Sequence, residues 1–249
     1  MEADRGTFGS IRCQKSRCIV SDKNKHKNST LAARWLVLVP TELELNHLRR
    51  SAEFDSLLQH DCQFEICGFG PIVAAAKTSQ LIADERQSRI LLVGIAGTYN
   101  DNHPIGSACS FDRVSCFGIG IGSGDQYQSA TAAGWSQWPT DNPDETIEDS
   151  ISLPDSTTKG TLLTCTTSSS GPEDVTRRLA EFPDAVAEDM EGFSVAAACR
   201  LAGLPLTIVR GISNQAGERN KANWKIEQAL ASAAEQVVDI VCGLDAASK

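Results

Sequence analysis

The residues best suited to chemistry lie in the stretch from Phe182 to Asn214. Asp189 and Glu191 are predicted to open a helix of mostly apolar residues, which places both carboxylates at its positive end. An apolar strand follows this helix and ends in the polar triplet Ile212-Ser213-Asn214. Because ligands bind beyond the carboxyl ends of strands in open parallel sheets, Glu191 and Asn214 are candidates to line one crevice and hold a polar ligand. Taken alone, the acidic pair is better explained as compensation of the helix dipole.

The N-terminal half supplies the first elements that must position these residues. The run W-L-V-L-V at Trp35 to Val39 predicts a strand buried on both faces, which Pro40 ends, and a helix is predicted from Glu42. A second helix is predicted over residues 72 to 84, and a central strand over Arg89 to Ile95 that closes on Ala96-Gly97. This alternation of strands and helices predicts the α/β fold class.

The C-terminal half continues the alternation. We predict a strand over Thr161 to Thr166, helices over 172 to 181 and 190 to 202, a strand over Leu206 to Gly211 and a long final helix over about 222 to 242. The stretch between 98 and 160 is rich in Gly, Ser, Asp and Pro, so only short strands at 106 to 117 and a long loop at 134 to 158 are predicted there.

The length of the chain fits one large α/β domain or two small ones, and we expect one domain. The chain has 249 residues and a net charge of −9, and an acidic balance disfavours a nucleic-acid partner. Residues 1 to 33 are basic and lack apolar periodicity, which predicts a disordered extension before a domain at 34 to 245. No apolar run approaches the roughly 20 residues of a membrane span, so no membrane partner is expected. Nine irregularly spaced cysteines indicate a reducing, cytoplasmic compartment.

Several common kinds of site are disfavoured. The glycines in G-I-G-I-G-S-G at 118 to 124 have the wrong phase for a dinucleotide site, and no helix is predicted after them, so we expect no cofactor. No G-x-S-x-G motif occurs, which disfavours a serine hydrolase. The nearest approach to a metal cluster is His60, Cys62 and Cys67, but no second ligand pair follows at zinc spacing, so no metal is expected.

One stretch carries a resemblance to a known family. M-E-G followed by an alanine-rich helix and then V-R-G-I-S-N resembles the signature of the nucleoside phosphorylase and nucleosidase superfamily, whose members cleave purine nucleosides. P-T-E-L-E at 40 to 44 and V-G-I-A-G at 93 to 97 fall where that superfamily has its other two motifs. The resemblance spans residues 34 to 245 and is weak from 98 to 160. It implies a three-layer α/β/α sandwich, phosphorylase/hydrolase-like, with a mixed central sheet, and a homo-oligomer.

The resemblance also implies roles for individual residues. Glu44 would position or deprotonate the attacking water, Glu191 would hold the ribose hydroxyls, and Met190 would pack on the sugar. Ala96 and Gly97 would bring backbone close to the sugar and water. Cleavage of the N-glycosidic bond passes through a cationic sugar, which nearby carboxylates stabilise. The alternative explanations are a first-turn acidic residue for Glu44 and a core residue for Met190.

Asn214 departs from the adenine-type nucleosidases, where an aspartate in this place protonates the purine. An amide cannot act as a general acid, but its NH2 group can donate to N7 or O6 of a 6-oxopurine. The base of a purine nucleoside substrate is therefore predicted to be hypoxanthine-like. Within the superfamily, this choice and the flanking motifs are most similar to the futalosine hydrolases.

The absence of two arginines that would bind phosphate predicts the nucleophile. Phosphorylases of this fold have arginines after the first strand and before the glycine motif, where this chain has Pro40-Thr41 and Leu92, so water is the expected nucleophile. The segment T-T-S-S-S-G at 166 to 171 could hold an anion, which leaves phosphorolysis open. A methylthioadenosine or adenosylhomocysteine nucleosidase is the other enzyme alternative. A non-catalytic nucleoside-binding protein is disfavoured because both Glu44 and Glu191 are retained.

Overall fold

The computed structural model describes residues 34–83, 87–153 and 160–247. The basic extension predicted for residues 1 to 33 lies outside these residues. In the described ranges no helix combines the length and the apolar character needed to cross a membrane.

The N-terminal half forms the elements predicted for it, one further strand and one further short helix. All five residues of the first strand are buried, as its continuous apolar run requires. The elements in order are β1 (Trp35–Val39), α1 (Glu42–Leu48), α2 (Phe54–Leu57), β2 (Cys62–Ile66), α3 (Pro71–Ile82) and β3 (Arg89–Thr98).

The C-terminal half contains eight strands and three α-helices in its described residues. They are β4 (Ala108–Ser110), β5 (Arg113–Phe117), β6 (Gly120–Ile121), β7 (Gln128–Ser129), β8 (Ser150–Ser152), β9 (Thr161–Cys165), α4 (Pro172–Glu181), β10 (Ala185–Asp189), α5 (Gly192–Ala202), β11 (Leu206–Gln215) and α6 (Ile226–Ala247). The small pair β6–β7 forms a separate hairpin.

The central sheet is mixed, as predicted. Its strand order in the described residues is β2-β1-β3-β10-β9-β5-β8, and β11 pairs with both β3 and β4. Strand β3 is parallel to β1 and β11 but antiparallel to β10. Strands β10, β9 and β5 are parallel to one another, whereas β4 and β8 pair antiparallel with their neighbours.

Two strands approach the same edge of β3 from opposite directions. Strand β1 pairs with β3 as far as Leu92, and β10 pairs with it at Gly97 and Thr98. Strand β11 occupies the other edge of β3 from Ile90 to Thr98, so β1 and β10 must share the remaining edge. The carboxyl ends of β1 and β10 therefore converge on residues 93 to 96 of β3. Such a change in strand order is a common place for a ligand crevice.

Helices cover both faces of the sheet. Helices α3 and α5 pack on one face, where Ala74 and Phe193 join the apolar residues of the strands. Helices α1, α2 and α6 pack on the opposite face through residues such as Leu45 and Leu230. These two separate cores confirm the three-layer α/β/α sandwich.

The structure corrects several predicted boundaries. Strands β2 and β10 were not predicted, because C-Q-F-E-I and A-V-A-E-D lack the continuous apolar run that marks a buried strand. The predicted helix at 190 to 202 begins at Gly192, and Asp189 ends a strand instead of opening that helix. Strands β3 and β11 run past their predicted ends, and β8 lies within the predicted loop at 134 to 158. The final helix begins at Ile226.

Candidate active site

Glu44 joins the start of helix α1 to strand β3. Thr41 is the N-cap of α1, and its hydroxyl accepts the backbone N–H of Glu44 at 3.3 Å. The Glu44 carboxylate turns back so that Oε2 accepts the Thr41 hydroxyl at 2.5 Å and Oε1 accepts the backbone N–H of Ile95 at 3.0 Å. Ile95 lies in the stretch of β3 between β1 and β10, so the carboxylate bonds there in place of a neighbouring strand. Glu44 is thus more than an acidic residue of the first helical turn.

Arg210 reaches across β3 to the end of β10. It belongs to β11, pairs with Gly94 and is fully buried. A Cβ atom on Gly94 would overlap Arg210 Nη1 and would lie 2.8 Å from Glu44 Oε1. The glycine therefore leaves the space through which the guanidinium passes. Beyond it, Arg210 Nε and Nη2 donate to Asp189 Oδ2 at 3.1 and 2.5 Å.

Asp189 compensates the dipole of helix α5, a role that the sequence suggested for Asp189 and Glu191 together. Its Oδ1 accepts the Thr164 hydroxyl at 2.6 Å, and its Oδ2 accepts the backbone N–H of Gly192 at 2.9 Å. It therefore compensates the start of α5 and also orients Arg210. Because its oxygens are bonded within the protein, Asp189 supports the site without needing a ligand.

Glu191 is the acidic residue whose bonding is incomplete. It makes no side-chain cap for α5, and its Oε1 accepts the backbone N–H of Gly70 at 3.0 Å. Arg210 Nη2 lies 3.4 Å from its Oε2. Burial raises the pKa of Glu191 from 4.5 to about 7, which Arg210 opposes and the nearby Asp189 and Glu44 reinforce. Its carboxylate is a poorly solvated acceptor, suited to donors from a ligand.

The charges of this cluster favour a ligand that becomes positive. Three carboxylates, those of Glu44, Asp189 and Glu191, surround a single guanidinium, and all four side chains are buried. Arg210 Nη1 is buried and has no hydrogen-bond partner within the described part of the chain, so one of its donors is left unpaired next to the carboxylates. A buried excess of carboxylate can stabilise a cation that develops during a reaction.

Asn214 of β11 lies beside Ala96 and Gly97, which are further along β3 than Gly94. It pairs with Gly97, and a Cβ atom on Gly97 would lie 3.3 Å from Asn214 Nδ2. The Ser213 hydroxyl donates to Asn214 Oδ1 at 2.7 Å and lies 3.3 Å from the carbonyl oxygen of Ala96. Asn214 Nδ2 donates to the carbonyl of Gln215 at 2.8 Å, and an amide NH2 has a second N–H for a ligand.

The charged cluster and Asn214 lie at different positions along β3. Gly94 underlies the charged cluster and Gly97 underlies Asn214, and three residues of a strand span about 10 Å. Met190 is half-buried and precedes Glu191 between β10 and α5. The structure therefore brings Glu44 and Glu191 together around Arg210, and it places Ala96, Gly97 and Asn214 beside them along β3.

The serine-rich segment at 166 to 171 is bonded to carboxylates of the chain itself. The amide and hydroxyl of Ser169 donate to Glu188 at 2.7 and 2.6 Å, and Arg178 forms a buried ion pair with the same carboxylate. The amide and hydroxyl of Ser170 donate to Asp174 at 2.8 and 2.5 Å. The donors that an added anion would need at Ser169 and Ser170 are therefore already in use.

The residues weighed as a metal cluster lie in different settings. His60 Nε2 contacts Cys242 Sγ at 3.3 Å. Cys67 is fully buried near the charged cluster, and burial raises the pKa of its thiol to about 12. Within the described residues no group of three or more His, Cys, Asp or Glu side chains is arranged so that it could hold a metal ion.

Sequence reasoning missed Arg210, Gly94 and Thr41 as parts of the site. Arg210 carried a signal, because a charge within the apolar strand L-T-I-V-R-G-I has to be paired when the strand is buried. The role of Gly94 depends on the path of the Arg210 side chain, and that of Thr41 depends on how the Glu44 side chain turns. Neither follows from local spacing.

Comparisons with known proteins identify the family of the chain. A family model for the phosphorylase superfamily matches residues 65–244. The futalosine hydrolase of Streptomyces coelicolor is 30% identical over 175 residues, which are 68% of this chain and 74% of the relative. The futalosine hydrolase of Thermus thermophilus is 30% identical over 213 residues, 82% of this chain and 93% of the relative.

The fold is shared with solved structures of low sequence identity. A 5′-methylthioadenosine/S-adenosylhomocysteine nucleosidase from Colwellia psychrerythraea, solved with adenine, has a TM-score of 0.68 at 19% identity and covers 86% of this chain and 96% of its own. Likeness at that identity shows the fold alone, whereas the family match and the two sequence relatives extend over most of the chain. The chain therefore belongs to the phosphorylase superfamily, and within it to the nucleoside N-glycosyl hydrolases related to futalosine hydrolase.

Proposed function

We propose that the chain hydrolyses the N-glycosidic bond of futalosine and releases hypoxanthine and dehypoxanthine futalosine in the alternative menaquinone pathway. The observation that carries this proposal is an amide, Asn214, next to a buried carboxylate cluster that suits a cationic sugar. The two sequence relatives, both futalosine hydrolases, support the same substrate.

The ribose is assigned to the charged cluster. Glu191 accepts hydrogen bonds from the ribose hydroxyls. Met190 packs on the sugar, while Ala96 and Gly97 allow it to approach the backbone of β3. These contacts hold the sugar where the surplus of carboxylates stabilises its positive charge most strongly in the transition state.

Glu44 is assigned to the nucleophile. A water molecule held by its carboxylate attacks C1′ while the C1′–N9 bond breaks, and Glu44 takes up the proton that the water loses. The electron pair of the broken bond leaves with the purine. Two donors hold the carboxylate, Thr41 and the backbone of Ile95, and each occupies one of its oxygens. Each oxygen keeps acceptor capacity for the water.

Asn214 is assigned to the leaving purine. Ser213 donates to its Oδ1, which fixes the amide so that Nδ2 carries the donors. The N–H not bonded to Gln215 donates to N7 or O6 of hypoxanthine and stabilises the negative charge on the departing base. The base then takes up a proton from solvent, since an amide cannot supply one.

Water is favoured over phosphate as the nucleophile by the charges near Glu44. Phosphate would need cationic or amide donors, but Ser169 and Ser170 donate to Glu188 and Asp174. Arg210 is directed at Asp189 and surrounded by carboxylates, which repel a second anion. A neutral water molecule avoids this repulsion.

A product assay tests the proposal. The protein is incubated with futalosine, inosine or methylthioadenosine, with and without phosphate, and the products are identified by mass. We expect hypoxanthine from futalosine at a rate that phosphate does not change. Sugar 1-phosphate formed only with phosphate would indicate a phosphorylase, and faster release of adenine from methylthioadenosine would indicate the other nucleosidase class. Binding without any turnover would indicate a nucleoside-binding protein.

We also propose that the enzyme is a homo-oligomer. Phe69, Ile72 and Val73 are 65%, 84% and 55% exposed, and they flank Gly70, which donates to Glu191. Apolar side chains this exposed and adjacent in the chain are typical of a protein interface. Light scattering should give a mass of at least two chains, and Ile72→Lys should lower it; a monomeric wild type would contradict the proposal.

A further inference from the structure

The hydroxyl of Thr41 makes two different hydrogen bonds to the same residue. It accepts the backbone N–H of Glu44 at 3.3 Å and donates to Glu44 Oε2 at 2.5 Å. A hydroxyl has one proton, so a hydroxyl that accepts from the amide and lies this close to a carboxylate directs its proton at the carboxylate. The first bond is an ordinary N-cap, and the second is an additional, charge-assisted bond.

The second bond determines where the Glu44 carboxylate points. In a usual capping box the glutamate at the third helical position bonds the backbone N–H of the cap residue. Here the Glu44 carboxylate instead accepts from the Thr41 hydroxyl and from the backbone N–H of Ile95, one donor for each oxygen. Glu44 is 5% exposed, so little bulk water competes for these oxygens. Two donors on two oxygens fix the plane of the carboxylate.

We infer that Thr41 is a positioning residue for the attack of water, acting through Glu44. This inference rests on the proposed role of Glu44 as the group that activates water. The Ile95 donor belongs to the backbone, so the Thr41 hydroxyl is the side-chain component that holds the carboxylate in its working orientation. Its loss should lower turnover and leave the binding of ribose and base almost unchanged, because neither contact involves Thr41.

Three substitutions separate the stability of the helix start from the positioning bond. Thr41→Ser keeps both bonds. Thr41→Gly loses the hydroxyl and brings no charge, and glycine is also preferred at an N-cap, so the helix start keeps most of its stability. Thr41→Val has nearly the same shape as threonine, carries no charge and loses both bonds. Each variant is measured for kcat, for KM and for the midpoint of thermal unfolding.

We expect Thr41→Gly to unfold close to the wild-type temperature while its kcat falls roughly 10- to 100-fold with KM changed less than about threefold. Thr41→Val should lose a similar factor in kcat and should also unfold earlier, because it lacks the cap. Thr41→Ser should recover most of the turnover. Wild-type kcat in Thr41→Gly, or equal turnover in the serine and valine variants, would overturn the inference.

Glu44→Gln distinguishes failure of the inference from failure of the proposed mechanism. If Glu44→Gln keeps full turnover, Glu44 does not activate water and the role of Thr41 falls with it. If Glu44→Gln is slow and Thr41→Gly is as fast as the wild type, Glu44 keeps its role and the inference alone is wrong. Adding Thr41→Val to Glu44→Gln should cause no further loss of kcat, since the two residues act as one unit.

Discussion

Glu191 Oε2 lies 3.4 Å from Arg210 Nη2, near the limit of a hydrogen bond, although both side chains are buried. The same nitrogen lies 2.5 Å from Asp189 Oδ2, so the arginine is committed to the aspartate. Glu191 is therefore a buried carboxylate with weak compensation, and burial raises its pKa to about 7. A buried carboxylate that lacks donors is stabilised most when a ligand supplies them.

Glu191→Gln tests whether this carboxylate is used by the reaction. Glutamine has a similar shape and can still accept from Gly70, but it has no negative charge for the cationic sugar. We expect kcat/KM to fall by roughly 10² or more, about 2.7 kcal/mol of transition-state stabilisation, while the protein stays folded. A variant that unfolds early and keeps its specific activity would show that Glu191 serves only the structure.

The raised pKa of Glu191 predicts an acid limb in the activity. Only the ionised form can accept from two ribose hydroxyls, and kcat/KM reports ionisations of the free enzyme. Below about pH 7 the kcat/KM of the wild type should fall about tenfold per pH unit. Glu191→Gln should lack this limb. A wild-type profile that stays flat down to about pH 5 would disagree with the environment found for Glu191.

The same ionisation predicts an effect on stability. Folding raises the pKa of Glu191 from 4.5 to about 7, so within that window the folded chain keeps a proton that the unfolded chain has lost. The contribution of this group to the free energy of unfolding is thus full below pH 4.5 and is lost as the pH rises through about 7. In thermal melts without ligand, Glu191→Gln should gain stability relative to the wild type between pH 5 and pH 8. A relative loss across that range would contradict this.

Gly94→Ala tests the passage of Arg210 over β3. The added methyl group would overlap Arg210 Nη1 and would lie 2.8 Å from Glu44 Oε1 and 3.1 Å from Pro40 Cδ. We expect a loss of stability of about 1 to 3 kcal/mol and a fall in kcat/KM of roughly 10²-fold, since the side chains of Arg210 and Glu44 must shift. Gly243→Ala is the control, because nothing lies within 4 Å of its added atom. Equal activity in the two variants would show that Gly94 is not needed for space.

The sequence predicted the parts of the site that local patterns mark. Pro40 and Thr41 end a strand and begin a helix, which placed Glu44 correctly in the first turn of α1. The apolar run at 206 to 211 similarly predicted the strand that leads to Asn214. In both places a few neighbouring residues determine the local structure.

The rest depends on contacts between distant residues. A-V-A-E-D was not predicted as a strand because it contains two carboxylates, and these are tolerated in a buried strand because Arg178 binds Glu188 and Arg210 binds Asp189. Each arginine is remote from the local pattern of β10. For the same reason Asp189 and Glu191 looked equivalent in the sequence, whereas Arg210 and Gly192 bind Asp189 and leave Glu191 available.

The choice between a 6-oxopurine and a 6-aminopurine on the same sugar tests the proposed substrate most directly. Release of the base should be compared for futalosine and its 6-amino analogue, in the wild type and in Asn214→Asp. Because one mismatched buried hydrogen bond is worth about 1 to 3 kcal/mol, we expect Asn214→Asp to shift the ratio of the two kcat/KM values roughly 5- to 150-fold toward the 6-amino compound. The wild type should favour futalosine. A wild type that releases adenine faster, with the ratio unchanged in Asn214→Asp, would show that Asn214 does not read the base and would contradict the proposed substrate.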